Sequence, residues 1–216
     1  MKYNNYTEAV FIDRPNRFIA NVEINGKSER VHVKNTGRCK EILIPGVNVI
    51  LEKSDNPNRK TRYDLIAAYK DNFGLINIDS QAPNKVAKEW LDRQDYEYIK
   101  PEYTYGRSRI DFYMEKNGEK YLMEVKGCTL EIEGTGYFPD APTERGVKHL
   151  RELAAAVSNG YHCIIAFVIQ MEGISEVKPY MITDPEFGKA LQEAKDKGVE
   201  EVFIKCKVGK DTLNAE

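Results

Sequence analysis

The stretch that decides the fold is Arg109-Ile110-Asp111-Phe112, which is followed by Leu122-Met123-Glu124-Val125-Lys126-Gly127. Both segments have the apolar character and length of β-strands. The polar segment Lys116-Asn117-Gly118-Glu119 between them predicts a tight turn, since Asn-Gly favours the positive φ angles of a hairpin loop. The sequence therefore predicts two paired strands with Asp111 beside Glu124.

The chemistry of this hairpin follows from strand geometry. Residues i and i+2 of a strand point to the same face, so Glu124 and Lys126 share one side while Val125 points into a core. Two neighbouring carboxylates repel each other unless a cation joins them, and their hard oxygen ligands suit Mg²⁺ or Mn²⁺. A lysine nearby suits phosphate chemistry. Asp111, Glu124 and Lys126 thus indicate a metal-dependent phosphodiesterase site.

Length and composition fit an ordinary soluble protein. The chain has 216 residues, 41% of them apolar and 31% charged, enough for one large domain or two small ones. The longest apolar run, Ile164 to Ile169, is too short to span a bilayer, and the polar N-terminus lacks a signal peptide. The cysteines are scattered without a CxxC pair, which argues against a zinc site or disulfide framework. We expect a cytoplasmic protein with no membrane partner.

The first part of the chain, residues 1–81, predicts a small all-β domain. Asn25-Gly26 between two alternating runs is a strong hairpin signal. About five short strands with almost no helix favour an OB-like barrel. The predicted strands are Ala9–Ile12, Arg17–Ile24, Glu29–Val33, Val47–Glu52, Arg62–Tyr69 and Leu75–Asp79.

The second part, residues 82–216, predicts an α/β domain with a mixed sheet flanked by helices. Asn84 can cap a first helix that runs to Arg93, and Gly134 to Pro142 reads as a loop. The continuous apolar run from His162 to Gln170 is typical of a strand buried on both faces. The order is αβββαβ followed by αβ. Its remaining elements are strands at Tyr96–Tyr105, Arg109–Glu115, Lys120–Lys126 and Val199–Val208, and helices at Thr143–Ser158 and Pro185–Lys197.

Basic residues around a glycine turn predict a nucleic-acid contact in the first domain. The net charge is −2, with a small basic excess in the first 80 residues and an acidic excess in the rest. A glycine turn with basic neighbours can present backbone N–H groups and cations to phosphate. Phe18, Tyr3 or Tyr6 could stack on bases, although barrel core is the more ordinary place for Phe18. The candidate nucleic-acid-binding residues here are Arg14, Arg17, Lys34, Asn35, Arg38 and Lys40.

The placement of the acidic motif resembles a known superfamily. An Asp on the second strand and a Glu-x-Lys on the third strand of an αβββαβ unit are similar to the PD-(D/E)xK nucleases. The wider sequence resembles the sugar fermentation stimulation protein A (SfsA) family over nearly the whole chain. The segments that carry this resemblance are 14–18, 34–46 with the run Asn-Thr-Gly-Arg-Cys-Lys-Glu, 108–112, 124–126, 138–146 and 184–185.

The resemblance implies an N-terminal OB-like domain, a restriction-endonuclease-like C-terminal domain and nucleic-acid binding. Asp111 and Glu124 would be the metal ligands, with the backbone carbonyl of Val125 as a third. Lys126 would orient or help to deprotonate the attacking water, or offset charge on the phosphate. Glu89 on the first helix is a further candidate ligand, although a solvent-facing role is the more common one for such a residue.

The second predicted helix offers another phosphate contact. Arg145 and His149 share a helix face at spacing i, i+4. Arg145 is the stronger candidate because a guanidinium can grip a phosphate with two hydrogen bonds. For His149 the sequence favours a surface or structurally satisfied residue.

Three functional classes stay open from the sequence. The favoured one is a nucleic-acid-binding phosphodiesterase that uses Mg²⁺ or Mn²⁺, with DNA preferred over RNA as the partner. The alternative is a non-catalytic DNA-binding transcriptional regulator of sugar metabolism on the same fold. A third is a barrel that binds sugar or peptide, which the slightly acidic overall charge allows.

Overall fold

The first six strands form a closed barrel with one added strand. The computed structural model describes residues 1–106 and 108–216. The strands are β1 (Tyr6–Asn16), β2 (Ile19–Ile24), β3 (Lys27–Val33), β4 (Asn48–Lys53), β5 (Tyr63–Lys70) and β6 (Gly74–Asn77). Strand β1 pairs antiparallel with β2 and β4, β4 pairs with β5, and β3 closes the barrel by a parallel pairing with β5. This five-stranded closure confirms the OB-like prediction, and β6 extends the free edge of β5.

Two predicted turns are confirmed by their backbone angles. Asn25 and Gly26 have φ of 50° and 75° and join β2 to β3, so that Ile24 faces Lys27. Asn117 and Gly118 repeat this geometry with φ of 52° and 79°. Positive φ at both central residues gives a turn whose twist matches that of the flanking strands, and Asn and Gly tolerate it best.

The described residues that follow the barrel form a mixed six-stranded sheet, a small three-stranded sheet and three helices. The sheet order is β15-β14-β12-β9-β8-β7, in which the central pairings are parallel and the outer ones antiparallel. The mixed-sheet α/β prediction is therefore confirmed. The elements are α1 (Ala82–Leu91), β7 (Tyr98–Tyr105), β8 (Ser108–Lys116), β9 (Glu119–Cys128), β10 (Leu130–Ile132), β11 (Thr135–Phe138), α2 (Glu144–Val157), β12 (His162–Ile169), β13 (Val177–Pro179), α3 (Pro185–Asp196), β14 (Glu200–Val208) and β15 (Leu213–Ala215).

Two local predictions are wrong. Helix α1 begins at Ala82 after Gln81, with Pro83 in its first turn, so Asn84 lies inside the helix and does not cap it. The segment 134–142 is not only a loop, because β11 pairs with β10 and with β13. The glycines of this segment suggested irregular backbone. Gly136 instead allows the backbone at Glu176 to approach closely, because a Cβ at position 136 would lie 2.9 Å from the Glu176 carbonyl oxygen.

The helices cover opposite faces of the mixed sheet. Strand β12 is buried on both sides, as its apolar run predicts. Ile165 and Phe167 pack with α2 and α3, whereas Ile164, Ala166 and Val168 pack with α1. The same alternation turns Glu124 towards α2 and Val125 towards α1. Within the described residues no helix is long and apolar enough to cross a bilayer.

One partly buried cation, Lys34, lies among several carboxylates. Lys34 Nζ lies 3.2 Å from Asp64, 3.5 Å from Asp79 and 3.6 Å from Glu52. Burial opposes the ionisation of Asp64, but hydrogen bonds with Arg59 and His32 and the charge of Lys34 outweigh it and lower the pKa of this carboxyl to about 2. Because Asp79 follows β6 and leads into α1, this cluster also ties the barrel to the second domain.

Replacing Lys34 by Met should destabilise the protein by about 3–5 kcal/mol, since it leaves the buried Asp79 carboxylate without a cation, whereas Asp64 keeps Arg59. Urea denaturation followed by circular dichroism measures the change. The matched control is Lys2→Met, which removes an exposed ion pair with Asp211 at 3.5 Å and should change stability little. Equal losses in both variants would contradict the role assigned to Lys34.

Candidate metal and nucleic-acid site

The strands β8 and β9 separate at the acidic motif. They pair from Lys116 and Glu119 up to Phe112 and Met123. Beyond that point one oxygen of Asp111 accepts the Val125 N–H at 2.8 Å, in the place that a backbone carbonyl of the neighbouring strand would take. The Asp111 side chain is thus fixed in the gap between the two strands.

The gap also receives a side chain from α1 and a carbonyl from β9. Asn84 Nδ2 donates to the second oxygen of Asp111 at 2.7 Å. Within an antiparallel pair a residue directs its N–H and C=O to the same neighbour, so the Val125 carbonyl faces the gap together with Asp111. Its role as a metal ligand stays a prediction, and this direction is compatible with it.

Glu124 is the buried centre of the site, with only 3% of its surface exposed. Its Oε1 accepts a hydrogen bond from Lys126 Nζ at 2.6 Å and contacts Nδ1 of His149 on α2. The i, i+2 spacing therefore brings Glu124 and Lys126 into contact on one face. Its other oxygen, Oε2, is buried and has no hydrogen-bond donor among residues 1–106 and 108–216. A buried carboxylate oxygen without a donor is costly, and a bound cation would remove that cost.

The two carboxyl groups differ in their electrostatics. Burial, followed by the charge of Glu124, raises the pKa of Asp111 above its usual value, although the Val125 N–H and Asn84 oppose the shift. Burial also opposes the ionisation of Glu124, but the contacts with His149 and Lys126 outweigh it and lower its pKa. Glu124 is thus held as a carboxylate, and a cation near it would also favour the ionised form of Asp111.

The donor set fits a hard divalent cation. The described residues contain no cluster of three or more His, Cys, Asp or Glu side chains placed to hold a metal. Mg²⁺ does not need one, because it usually keeps several waters and binds through one or two carboxylates plus substrate oxygens. Asp111, Glu124 Oε2 and the Val125 carbonyl supply that minimum.

Glu89, the further candidate ligand, is engaged elsewhere. Its Oε2 accepts a hydrogen bond from the α-amino group of Met1 at 2.6 Å. Glu89 and Asp111 both border a hollow of about 390 Å³, but the two do not join Glu124 in a three-residue ligand cluster within the described part of the chain. The structure therefore gives no support to Glu89 as a ligand.

Three of the predicted nucleic-acid contacts instead build the loop after β3. The Arg14 guanidinium donates to the backbone carbonyls of Arg17, Asn35, Gly37 and Arg38 at 2.7–3.0 Å. The Asn35 side chain accepts from the Gly37 N–H at 2.7 Å and donates to the Ile78 carbonyl at 2.8 Å. Lys34 is committed to its buried carboxylates. For Arg14, Lys34 and Asn35 the structure therefore favours a structural role over direct contact, because folding already uses their polar groups.

Other side chains of this region stay exposed. Arg17, Arg38 and Lys40 are exposed, and Arg17 and Arg38 line a cleft of about 520 Å³ between the barrel and the second domain. Phe18 is 50% exposed, so the expectation of barrel core is wrong for it. Tyr3, by contrast, lies in the core at 3% exposure.

The cleft connects the barrel loop with the motif strands. Gly127, which follows Lys126, lines one wall of it. Asp140, from the loop before α2, accepts the Cys39 N–H at 2.7 Å and so fixes the two walls relative to each other. The other lining residues include Asn35, Thr36, Gly37, Ser80, Pro83, Thr129, Tyr137, Phe138, Pro142, Thr143 and Gln170.

A second hollow, of about 490 Å³, lies on the α2 side of Glu124. Arg145 borders it and its Nε donates to His149 Nε2 at 3.4 Å. Arg109 and Lys148 line the same hollow and were not singled out by the sequence. One sequence signal indicates that these residues lie near the site: Arg109 is two residues before Asp111, and Lys148 is three residues after Arg145.

The sequence also missed two partners of the acidic residues. Asn84 looked like a helix cap, and His149 looked like a surface or satisfied residue. Both are side-chain partners of the motif carboxylates, Asn84 with Asp111 and His149 with Glu124. For His149 the available signal was its i, i+4 spacing from Arg145, whereas nothing in the chain order indicated that α1 brings Asn84 to Asp111.

The fold and site together define a two-domain protein in which an OB barrel and a mixed-sheet α/β unit enclose a cleft beside an Asp-Glu-Lys centre whose Glu is buried. Family models agree with this division: "SfsA N-terminal OB domain" matches residues 12–78 and "Sugar fermentation stimulation protein RE domain" matches residues 81–212. The chain belongs to the sugar fermentation stimulation protein (SfsA) family.

Individual relatives match over almost the full length. A sugar fermentation stimulation protein homolog of Desulfitobacterium hafniense is 53% identical, covering 100% of this chain and 95% of the relative. One from Clostridium beijerinckii is 51% identical, covering 99% of this chain and 96% of the relative. The structure of Pyrococcus furiosus SfsA in complex with Ca²⁺ is similar with a TM-score of 0.86 at 27% identity, covering 100% of this chain and 95% of that one.

Replacing Arg14 by Lys should loosen the loop at residues 35–40, since an ammonium group cannot hold several carbonyl oxygens in the way that a planar guanidinium does. Hydrogen exchange read by NMR should become faster at the Gly37 and Cys39 amides. Arg30→Lys, at an exposed position of β3, is the control and should leave both amides unchanged. Unaltered exchange in Arg14→Lys would refute the loop-building role.

Proposed function

We propose that this protein is a divalent-metal-dependent phosphodiesterase that acts on nucleic acid, with DNA favoured over RNA. The observation that carries the proposal is the buried Oε2 of Glu124, next to Asp111 and Lys126, which has no hydrogen-bond donor in the part of the chain that the structure describes. An oxygen of this kind is stabilised by a bound cation, and the pair of carboxylates suits Mg²⁺ or Mn²⁺.

In this proposal each side chain has a separate task. Asp111, Glu124 and the Val125 carbonyl hold the cation, which would supply Lewis-acid stabilisation of the phosphate and a more acidic bound water. Lys126 donates its N–H groups to the phosphate or to the attacking water. Asn84 holds Asp111 in the gap between the strands, so that this carboxylate stays aligned.

The solved relative supports a hard cation. Pyrococcus furiosus SfsA was obtained in complex with Ca²⁺. Ca²⁺ takes oxygen ligands, as Mg²⁺ and Mn²⁺ do, so a relative that binds it is consistent with an oxygen-lined cation site in this chain.

The cleft between the domains is the proposed path of the nucleic-acid strand. Arg17 and Arg38 would contact phosphates at the barrel end, and Phe18 could stack on a base. Arg145 would contact a phosphate on the α2 side of the site. Since Gly127 lines the cleft directly after Lys126, a strand in the cleft would pass close to the motif.

A non-catalytic DNA-binding regulator of sugar metabolism is the second candidate. One observation favours it: every side-chain oxygen of the motif except Glu124 Oε2 already has a protein partner, since Asp111 accepts from Asn84 and Val125, and Glu124 Oε1 contacts Lys126 and His149. Such a centre could persist as a folded element of a pure binding protein.

A nuclease assay separates the two candidates. After treatment with EDTA and reloading with Mg²⁺ or Mn²⁺, the protein should cleave single- or double-stranded DNA. Asp111→Asn, Glu124→Gln and Lys126→Met should each reduce the rate by about 100-fold or more, because they remove ligands or a charged donor at the scissile phosphate.

The control for this assay is Lys120→Met, which changes an exposed lysine on the same face of β9, away from the gap between the strands. Its rate should equal that of the unaltered protein. Cleavage that survives all three motif variants would refute the site. Binding without cleavage in either metal would favour the regulator.

The phosphate contacts of the barrel should appear in the salt dependence of binding. In fluorescence anisotropy, Arg17→Ala with Arg38→Ala should weaken binding of a DNA oligonucleotide and lower the slope of log K against log salt by about 0.7–0.9 for each phosphate that is no longer neutralised. Lys27→Ala with Arg30→Ala removes the same charge from exposed positions of β3 and should leave the slope nearly unchanged. If both pairs of substitutions lowered the slope equally, binding would depend on net charge alone and not on phosphate contacts of Arg17 and Arg38.

A further inference from the structure

His149 is a buried imidazole beside the motif carboxylate. It lies on α2 with 4% of its surface exposed, and its Nδ1 contacts Glu124 Oε1. A histidine in this position is neither a solvated helix residue nor part of an apolar core, because both of its ring nitrogens have polar partners. Its contact therefore acts on the geometry of Glu124.

The two partners of the ring define its tautomer. Arg145 Nε donates to His149 Nε2 at 3.4 Å, so the lone pair of Nε2 is the acceptor. A neutral imidazole then carries its hydrogen on Nδ1, which donates to Glu124 Oε1. Arg145 thus orients His149 as a donor towards the carboxylate.

The two donors on Oε1 fix the rotation of the carboxylate. Lys126 and His149 both bond the same oxygen of Glu124, from β9 and from α2. A carboxylate held through one oxygen by two separate elements has little rotational freedom, and its second oxygen is then the one without a protein donor among the described residues.

We infer that His149 is a positioning residue: it holds Glu124 so that Oε2 is presented to the divalent cation. The inference deepens the proposed function and rests on it. Partners of ligating carboxylates typically account for a 10–100-fold change in metal affinity.

Two amide substitutions distinguish the ring nitrogens. The Nδ2 of an Asn can take the place of the imidazole Nδ1, so His149→Asn should keep the hydrogen bond to Glu124. The Nε2 of a Gln matches the other nitrogen, so His149→Gln should lose this bond while filling a similar volume. Mn²⁺ binding without nucleic acid, measured by electron paramagnetic resonance, reads the site independently of catalysis.

The expected result is a Kd for Mn²⁺ that stays within a few-fold of the unaltered protein in His149→Asn and rises about 10–100-fold in His149→Gln. Circular dichroism and thermal unfolding of each variant check that the fold persists. If His149→Gln is destabilised, Mn²⁺ binding of all variants is measured well below the unfolding midpoint of His149→Gln, so that folded proteins are compared.

Two further variants separate the failure of this inference from that of the proposed function. If Glu124→Gln abolishes Mn²⁺ binding while His149→Gln binds as tightly as the unaltered protein, the positioning role is overturned and the metal site stands. Equal losses in His149→Asn and His149→Gln, with both folded, also overturn it. If Asp111→Asn and Glu124→Gln bind Mn²⁺ normally, the proposed site fails and the inference fails with it.

Discussion

The hydrogen bond from the Val125 N–H to the Asp111 carboxylate is the interaction on which the site depends. It replaces a backbone bond at the point where β8 and β9 separate, so the ladder ends without leaving that N–H unpaired. Because the strands separate here, the Val125 carbonyl and the Asp111 carboxylate both face the same gap. A sheet that stayed paired here would use the N–H and C=O of Val125 in ordinary strand hydrogen bonds and would leave no gap for a cation.

The barrel and the second domain are joined by charged groups that are buried or partly buried. Lys34 holds carboxylates from the barrel and from the segment leading into α1, while Asp140 holds the Cys39 N–H from across the cleft. Buried polar contacts of this kind are costly when one partner is removed. They connect the two walls of the cleft that Arg17, Arg38 and Gly127 line.

Local signals predicted what depends on local geometry. The Asn-Gly turns, the barrel strands and the shared face of Glu124 and Lys126 follow from backbone preferences and strand periodicity, and the structure contains them. Contacts made by distant elements, such as Asn84 with Asp111 or His149 with Glu124, leave no such local signal. The same limit applies to the basic residues. Their charge predicted that Arg14 and Lys34 bind nucleic acid, but in the structure Arg14 bonds backbone carbonyls of its own loop and Lys34 pairs with carboxylates of the same chain.

The central claim is that Asp111, Glu124 Oε2 and the Val125 carbonyl bind one divalent cation. Crystals soaked in Mn²⁺ test it most directly through anomalous diffraction. The account predicts an anomalous peak about 2.0–2.2 Å from oxygens of Asp111 and Glu124, with the carbonyl of Val125 completing the protein ligands. A saturating soak that leaves this gap without a peak, or places Mn²⁺ only at surface carboxylates, would contradict it.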